Sequence, residues 1–448
     1  MASRGGTLET GGARRRTTEP GARDEIWDGG GRFLTVAALR LEVIDGVDAG
    51  ATQVFGRERI VIGSHESADF VIRDSTVSRM HCELIPSSGR VVVRDLESKN
   101  GTAIHGILVR EATLTRTAVL ELGHTKIRLS MSGDTAYLPL YDGEQFGDLV
   151  GQSAAMRRAF ALAAAAAVSD GAVLIEGEVG TGKHSFAAAI HARSARAQHP
   201  LRVLACGATP RELLEVELFG THGGDAARPG IFEAASGGSV LLDQVGELPV
   251  ELQPRLLAVL ERREVRRSGG GPPIAIDVRV MATTSRNLAA GINGHRFRSD
   301  LHARLAAIQI ALPPLRARLG DLPLLVAEFA TRLRLGADDR AWLEAEPRIA
   351  ELGVHHWPGN LHELRSYLES CVALRTPGVI DARGSEPGVT VDTSRPFHAA
   401  RGAWMDAFDR GYAIELLRQH DGDVSTAART AGLDRLAFCH LLWRLGIR

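Results

Sequence analysis

The sequence predicts a multidomain chain: an all-β sandwich, then an α/β domain built on a parallel sheet, then an all-α helix-turn-helix. Three observations predict it. Short alternating apolar runs separated by Gly, Asp, Ser and Asn turns fill residues 31 to about 132, the pattern of half-buried antiparallel strands. From residue 152 onward strand-like runs alternate with helical spacings, which calls for parallel crossovers. Residues 401–448 carry three helical patterns, with a Gly turn between the second and third. At 448 residues the chain also exceeds what one hydrophobic core serves.

Composition sets the outer bounds. Hydrophobic residues make up 44% and charged residues 24%, and the net charge is −1, so a generally basic nucleic-acid coat is excluded and any DNA contact must be local. The four cysteines, Cys82, Cys206, Cys371 and Cys439, show neither metal-ligand nor disulfide spacing, which fits a reducing compartment and buried small side chains. No apolar run reaches the length of a membrane span, and the Arg-rich start lacks a signal-peptide core; the expectation is a cytoplasmic protein. Only three lysines occur, Lys99, Lys126 and Lys183. In a chain otherwise so rich in Arg, a retained Lys is mildly informative about places where a compact ammonium does something a guanidinium cannot.

Residues 1–30 hold Gly, Arg, Thr and Glu without apolar periodicity and are expected to be a disordered tail. Within it, Arg14 to Arg16 followed by Thr17 and Thr18 would suit a basophilic kinase. The sandwich is placed at 31–135, on the runs LRLEVI, ERIVIG, ADFVIR, HCELIP, RVVVRDL and KIRL. Ile62-Gly63-Ser64, Asp69, VSRMH (Val77 to His81), SKNGT (Ser98 to Thr102) and His105-Gly106 resemble the forkhead-associated (FHA) domain. The resemblance implies a phosphothreonine site on loops at one end of the sandwich. Ser78 and Arg79 would meet the phosphate, Lys99 would assist and Asn100 would hold the peptide backbone. Ser64 stands where the family places an Arg, which removes a bidentate phosphate clamp. The phosphorylated partner is another protein or the chain's own tail.

Asp142 to Val150 is expected to be a short linker, Gln152 to Val168 a helix, and Val173 to Ile175 a strand. That strand runs into GEVGTGKH, Gly177 to His184, and then into the helical spacing of Phe186, Ala187 and Ile190. This is a phosphate-binding P-loop: Gly177, Gly180 and Gly182 let the N–H groups of Glu178, Val179 and Thr181 and their neighbours turn toward one anion, the helix start adds its dipole, and Lys183 reaches the terminal phosphates. His184 stands at the position of the usual magnesium-holding Ser or Thr, and Ser185 follows one place late. Strands are expected at Arg202 to Ala205, within Gly237 to Pro249, and over Asp277 to Ser285, with a helix at Arg211 to Phe219. Asp243, ending its strand, can order magnesium, and the residue after it can polarise water.

ELFG (Glu217 to Gly220), the run from Arg228 to Arg267, VRVMATTSRNL, FRSDLHARL, LPPLRARLGDLPLL and WPGNLHELR together resemble the AAA+ domain of sigma-54-dependent transcription activators, over Phe146 to Leu374. The resemblance implies a nucleotide-binding α/β domain at 146–321 and a helical lid at 322–375. It implies ATP with magnesium as cofactors, Lys183 on the phosphates and Asp243 on the metal. Arg298 and Arg304 would be arginine fingers reaching a neighbouring subunit, and hence the chain would assemble as a homo- or hetero-oligomer. Departures stand beside the matches. The catalytic Glu after Asp243 is Gln244, an amide that orients water but cannot take its proton. The sensor Asn is Ser285, and the lid Arg is His362, with Arg365 about one turn further along as its substitute. The family's GAFTGA loop, which grips the sigma factor, is reduced to THGGDAA, Thr221 to Ala227.

Residues 376–400 hold Pro, Gly, Ser and Asp without periodicity and are read as a linker. In 401–448 the second helix (Val424 to Ala431), the Gly432 turn and the third helix (Asp434 to Leu445) resemble the Fis-type DNA-binding module of the same activators. That resemblance puts Arg435, Ala437, Phe438, Cys439, His440 and Arg444 nearest the DNA. Seven arginines against six acidic residues leave this segment only slightly basic. Two functions follow. One is a DNA-binding regulator with a phosphothreonine input and an ATP-binding core, weak or inactive in hydrolysis, that does not remodel sigma-54 polymerase directly. The other is an active, ATP-hydrolysing sigma-54-dependent activator.

Overall fold

A computed structural model of the chain describes residues 25–28, 31–87, 89–223 and 227–374, together with 417, 420, 423–431, 438 and 442. The chain divides into two units, residues 1–380 and 381–448. Among the described residues no helix is long and apolar enough to cross a membrane.

The first unit begins with a two-layer β sandwich. Its strands are β1 (Glu25–Asp28), β2 (Gly31–Asp45), β3 (Thr52–Phe55), β4 (Ile60–Gly63), β5 (Phe70–Val71), β6 (Cys82–Ser87), β7 (Arg90–Asp95), β8 (Thr102–Ile104), β9 (Ile107–Val109), β10 (Glu111–Leu114), β11 (Ala118–Leu122) and β12 (Thr125–Pro139). One sheet runs β1-β2-β12-β11-β8-β9, with β3 also on β2, and the other runs β10-β7-β6-β4-β5. Alternation along β11, buried at Ala118, Leu120 and Leu122, shows why the sheets face one another: successive side chains point to opposite faces. Leu41, Ile62, Leu84, Val93, Leu120 and Ile127 are fully buried between them. The strands exceed the span expected from the sequence at both ends. Residues 25–28, assigned above to the tail, pair antiparallel with β2 from Glu25↔Leu34 to Asp28↔Gly31, because Ile26 and Trp27 are strong strand formers beside an open edge. At the other end β12 continues to Pro139 along β2, past an irregularity in register between Met131 and Thr135.

The α/β domain follows. Its hairpin β13 (Gln145–Phe146) and β14 (Leu149–Val150) lies in the stretch expected to be a linker. That expectation fails because Phe146 is 1% exposed, stacked against Phe160 and Phe186 and met edge-on by Tyr141. A residue carrying that much apolar area belongs to the core. The remaining strands are β15 (Val173–Glu176), β16 (Leu201–Ala205), β17 (Gly220–Thr221), β18 (Arg228–Pro229), β19 (Ser239–Asp243), β20 (Glu264–Val265), β21 (Ile274–Ala275), β22 (Arg279–Thr284) and β23 (Ile308–Ala311). The central sheet has the order β16-β19-β22-β15-β23, and every pair in it is parallel. Val240, Leu241 and Leu242 of β19 are all fully buried, the continuous apolar run of a strand covered on both faces.

Helices cover both faces. α1 (Ala154–Ala167) and α2 (Lys183–Ala192) pack with Val173, Ile175 and Leu241. On the other face α3 (Arg211–Phe219), α4 (Ile231–Ala234), α5 (Gln253–Arg262), α6 (Leu288–Asn293) and α7 (Ser299–Leu305) pack with Leu174, Val240 and Leu242. The lid is α8 (Leu322–Arg332), α9 (Ala337–Leu343), α10 (Glu346–Val354) and α11 (Asn360–Leu374), closed around Leu325, Leu352, Trp357, Leu364 and Leu368.

In the second unit the helix Val424–Thr430 is described, and Ala427, Ala428, Phe438 and Leu442 are buried together. Phe438, placed above beside the DNA, is 0% exposed. With Leu442 one turn later it forms the face that packs on Ala427 and Ala428, so it is a core residue and cannot face a groove. Arg435, Ala437, Cys439, His440 and Arg444 lie outside the described residues.

Candidate functional site

The loop after β15 is held open by its backbone and closed over by the lid. Gly180 has φ +79°, and a Cβ there would stand 2.1 Å from the Gly359 carbonyl oxygen, so only glycine lets the lid approach. Gly182, φ +97°, is the N-cap of α2, whose first residue is Lys183. The Lys183 ammonium is buried and donates to the carbonyls of Gly177 (2.8 Å) and Glu178 (2.7 Å). Burial lowers its pKa, opposed by the charges of Asp243 and Glu178. A buried ammonium bonded to two neutral carbonyls is a group that a nearby anion would stabilise. Thr181 caps the turn through its hydroxyl to the Glu178 carbonyl at 2.9 Å. His184 and Ser185 at the start of α2 are exposed, and so is Val179 at the loop tip.

Residues that the sequence reading missed fasten the loop. Asn360 is fully buried with φ +54°, donates to the Val179 carbonyl at 2.9 Å and accepts from the Leu315 N–H at 2.7 Å. The Leu361 N–H donates to the Gly180 carbonyl at 2.9 Å. Arg316 grips the Glu178 carboxylate with two parallel bonds (2.8 and 2.5 Å), which holds that carboxyl below its ordinary range. Arg318, buried and pushed by burial to about 10, donates to the Thr181 carbonyl at 3.3 Å. WPGN and LRAR were visible as motifs, but nothing in their spacing reveals which carbonyl each residue meets. His362 lies in the first turn of α11, with its Cβ 3.4 Å from where a Cβ on Gly180 would stand. Arg365 does not turn toward the loop, because its guanidinium pairs with Glu369 at 2.8 Å on an exposed face.

At the end of β19 the Thr283 hydroxyl bonds the Asp243 carboxylate and accepts the Gln244 N–H at 3.0 Å. Gln244 itself is left-handed, φ +57°. Its side-chain oxygen accepts both the N–H of Ser285 (3.0 Å) and its hydroxyl (2.8 Å). The two unusual residues are therefore partners, and Ser285 holds the amide in place. Magnesium takes hard oxygen ligands. Asp243 offers a carboxylate whose charge reaches Lys183, while the place after Lys183 offers an imidazole, a poorer magnesium ligand. The residues fit a magnesium ion held by Asp243 and by the phosphates of a nucleotide.

Arg298 caps α7 and Arg304 lies within it, both exposed. The Arg298 N–H is fixed by buried Gln253 at 2.8 Å, and its guanidinium rests on Asp300. Arg304 donates to the Leu260 carbonyl at 3.2 Å. β17 and β18 form a two-residue ladder that narrows the shortened loop to a hairpin of which residues 224–226 are not described.

On the sandwich, three loops meet. The Ser64 N–H donates to the Ser78 carbonyl (3.0 Å), the Lys99 N–H to the Ser78 hydroxyl (2.9 Å), and the Asn100 amide to the Thr76 carbonyl (2.7 Å). His81 braces the group, accepting the Ser78 N–H at Nδ1 and bonding the Gly101 carbonyl from Nε2. Burial lowers its pKa. Arg79, Lys99 and Asn100 are exposed at the surface of this cluster.

Residues 149–311 match the Sigma-54 interaction domain and residues 316–394 the AAA+ ATPase lid domain. Residues 42–133 match the cytoplasmic domain of an inner membrane component of type III secretion systems. The transcriptional regulatory protein ZraR of Escherichia coli is 37% identical over 332 residues, covering 72% of each chain. The crystal structure of NtrX from Brucella abortus in complex with ATP is 31% identical, covers 68% of this chain and 71% of its own, and has a TM-score of 0.47. That of an FHA domain from Chlamydia trachomatis is 30% identical, covers 21% of this chain and 97% of its own, and has a TM-score of 0.20.

Proposed function

The chain belongs to the family of sigma-54-dependent transcription activators, and from that premise we propose that it is a DNA-binding transcriptional regulator whose AAA+ core binds ATP but turns it over slowly or not at all. One observation carries this reading: the side chain at the water-activating position is an amide whose oxygen is occupied by both donors of Ser285. An amide has no basic site at neutral pH, and loss of a general base costs roughly 10²- to 10⁴-fold. Binding is spared, because Gly180, Gly182 and Lys183 keep the phosphate cradle and Asp243 keeps a metal ligand. Magnesium bound there supplies charge neutralisation on the phosphates. ATP affinity and phosphate release measured on one preparation test the reading, with the Lys183→Ala variant as baseline. Turnover on the order of 1 per second or faster, within the common enzyme range, refutes it.

The regulator is further proposed to take a phosphothreonine input at Ser78, Arg79, Lys99 and Asn100 and to read DNA with its last helix. Arg298 and Arg304 would join subunits. With Thr221 to Ala227 in place of the sigma-gripping loop, it would not open sigma-54 polymerase by itself. ATP-dependent open complexes formed by this protein alone, at a sigma-54 promoter bearing its own selected site, would overturn that part. The second reading, an active ATPase and activator, is favoured by the retained Lys183, Asp243 and exposed Arg298 and Arg304.

A further inference from the structure

The loop proposed to hold phosphate has two sides. Arg79 is exposed and Ser78 half-buried, and the next residue, Met80, is 2% exposed and buried in the same cluster as Leu288, Ala289, Ile292 and Phe297 of the nucleotide-binding domain. Ala68 and Leu96 of the sandwich join it there. Gly63 permits the tight course of this loop, since a Cβ on it would stand 2.0 Å from the Arg79 carbonyl oxygen.

One side chain ties the pieces together. The Asn293 amide, at the end of α6, donates to the Met80 carbonyl (2.5 Å) and to the Leu96 carbonyl (2.7 Å), and its oxygen accepts the Met80 N–H (3.3 Å). Met80 ends the loop of Ser78 and Arg79, and Leu96 opens the loop of Lys99 and Asn100. A single amide with all its partners thus holds the backbones of both loops that supply the phosphate donors. Five residues further on stands Arg298, with Phe297 buried in the same apolar cluster as Met80 and the Arg296 carbonyl fixed by Gln253. Three ion pairs extend the contact: Arg59, also bonded to buried Glu83, reaches Glu176 at 2.9 Å, the residue before the P-loop, Arg158 of α1 meets Glu58 at 3.0 Å, and Arg296, two residues before Arg298, meets Glu97 at 3.0 Å. The sandwich does not cover the fingers; it is attached to the segment that carries them.

We infer that Asn293 is a coupling residue: it joins the two phosphopeptide loops to the arginine-finger segment, so that a phosphothreonine ligand on the sandwich and subunit assembly through Arg298 and Arg304 change one another's free energy. The inference rests on the phosphothreonine reading above. The amide contact suits such a role because its bonds are directional, and a ligand that shifts either loop must strain or relax them. Coupling of this kind is reciprocal and commonly amounts to 5- to 150-fold in affinity.

The test uses the full chain and a synthetic phosphothreonine peptide pool with randomised flanks, to which the tail sequence Gly11 to Asp24 phosphorylated on Thr18 is added, each with its unphosphorylated twin. Peptide binding is followed by anisotropy and assembly by sedimentation with ATP present. In the wild type, bound phosphopeptide shifts the midpoint concentration of assembly at least fivefold. Asn293→Ala, and Asn293→Asp, which turns an acceptor toward two carbonyls, bind ATP as the wild type does and, at phosphopeptide concentrations that saturate each variant, lose the shift. Phosphopeptide that binds the wild type without moving assembly, or an undiminished shift in both variants, overturns the inference and leaves the phosphothreonine reading standing. Equal affinity for every phosphorylated and plain twin overturns that reading itself, and the inference falls with it.

Discussion

Replacing Gln244 by Glu tests the slow-turnover reading most directly, and its effect follows from the contacts. The oxygen that accepts Ser285 N–H at 3.0 Å and Ser285 Oγ–H at 2.8 Å remains an oxygen in the variant, so both bonds persist and become charge-assisted. The cost to folding is therefore small. The second oxygen takes the place of the amide nitrogen and supplies the missing proton acceptor. A positioned general base contributes roughly 10²- to 10⁴-fold. Two donors on the same carboxylate stabilise its charged form and reduce its basicity, which places the expected gain near the lower end, about 10². Adding Ser285→Ala removes the hydroxyl but keeps the backbone donor. One hydrogen bond to a charged group is worth about 1.5–3 kcal/mol, of which only part reaches the rate, so a further rise on the order of tenfold is expected. The assay is steady-state phosphate release at saturating ATP, on assembled protein, with Arg298→Ala as a negative control. The reasoning is refuted if neither variant exceeds the wild-type rate by tenfold while ATP affinity and assembly are unchanged.

Other consequences follow from the packing around the same site. Phe146→Ala empties a space beside the stacked Phe160 and Phe186; at about 3–5 kcal/mol for a buried Phe, calorimetry should find the nucleotide-binding domain melting roughly 6–20 °C lower, and an unchanged transition would return Phe146 to a linker. Gly180→Ala drives a Cβ into the Gly359 carbonyl at a left-handed φ, and a fluorescent ATP analogue should bind at least tenfold more weakly; wild-type affinity would deny the lid contact. Glu178 has a carboxyl depressed chiefly by its bonds to Arg316, so its contribution is fully present above the ordinary carboxylate range and is lost as the pH falls through its lowered value. With about two-fifths of each side chain exposed the pair contributes at most about 1 kcal/mol. Melting profiles of wild type and Glu178→Gln between pH 7 and pH 3 should therefore converge on acidification, and a constant gap would place the stabilisation elsewhere.

The parts legible in the sequence are those whose physics is local. Gly177 to His184 is a contiguous stretch, and its glycines, the lysine and the following helix are enough to define a phosphate cradle without any distant partner. The buried strand ending at Asp243 and the alternation along β11 are periodicities read over a few residues. Even the departures, Gln244, Ser285, His184 and the lost sigma loop, are visible as residue types.

Tertiary structure decided which groups satisfy one another. Gln244 and Ser285 are 41 positions apart, and each alone is an unusual residue, whereas together they form a closed pair. Asn360 meets the Val179 carbonyl across 181 positions and Asn293 meets Met80 across 213. A buried amide must find partners, but the sequence carries no label for which carbonyl is in reach once layers pack. The same holds for faces. Helical spacing marks Phe438 and Leu442 as neighbours, yet only the packing against Ala427 and Ala428 turns that face inward, and only the packing against Phe160 and Phe186 makes a core residue of Phe146. Burial is a property of what stands opposite, and what stands opposite is settled by the assembled layers rather than by local spacing.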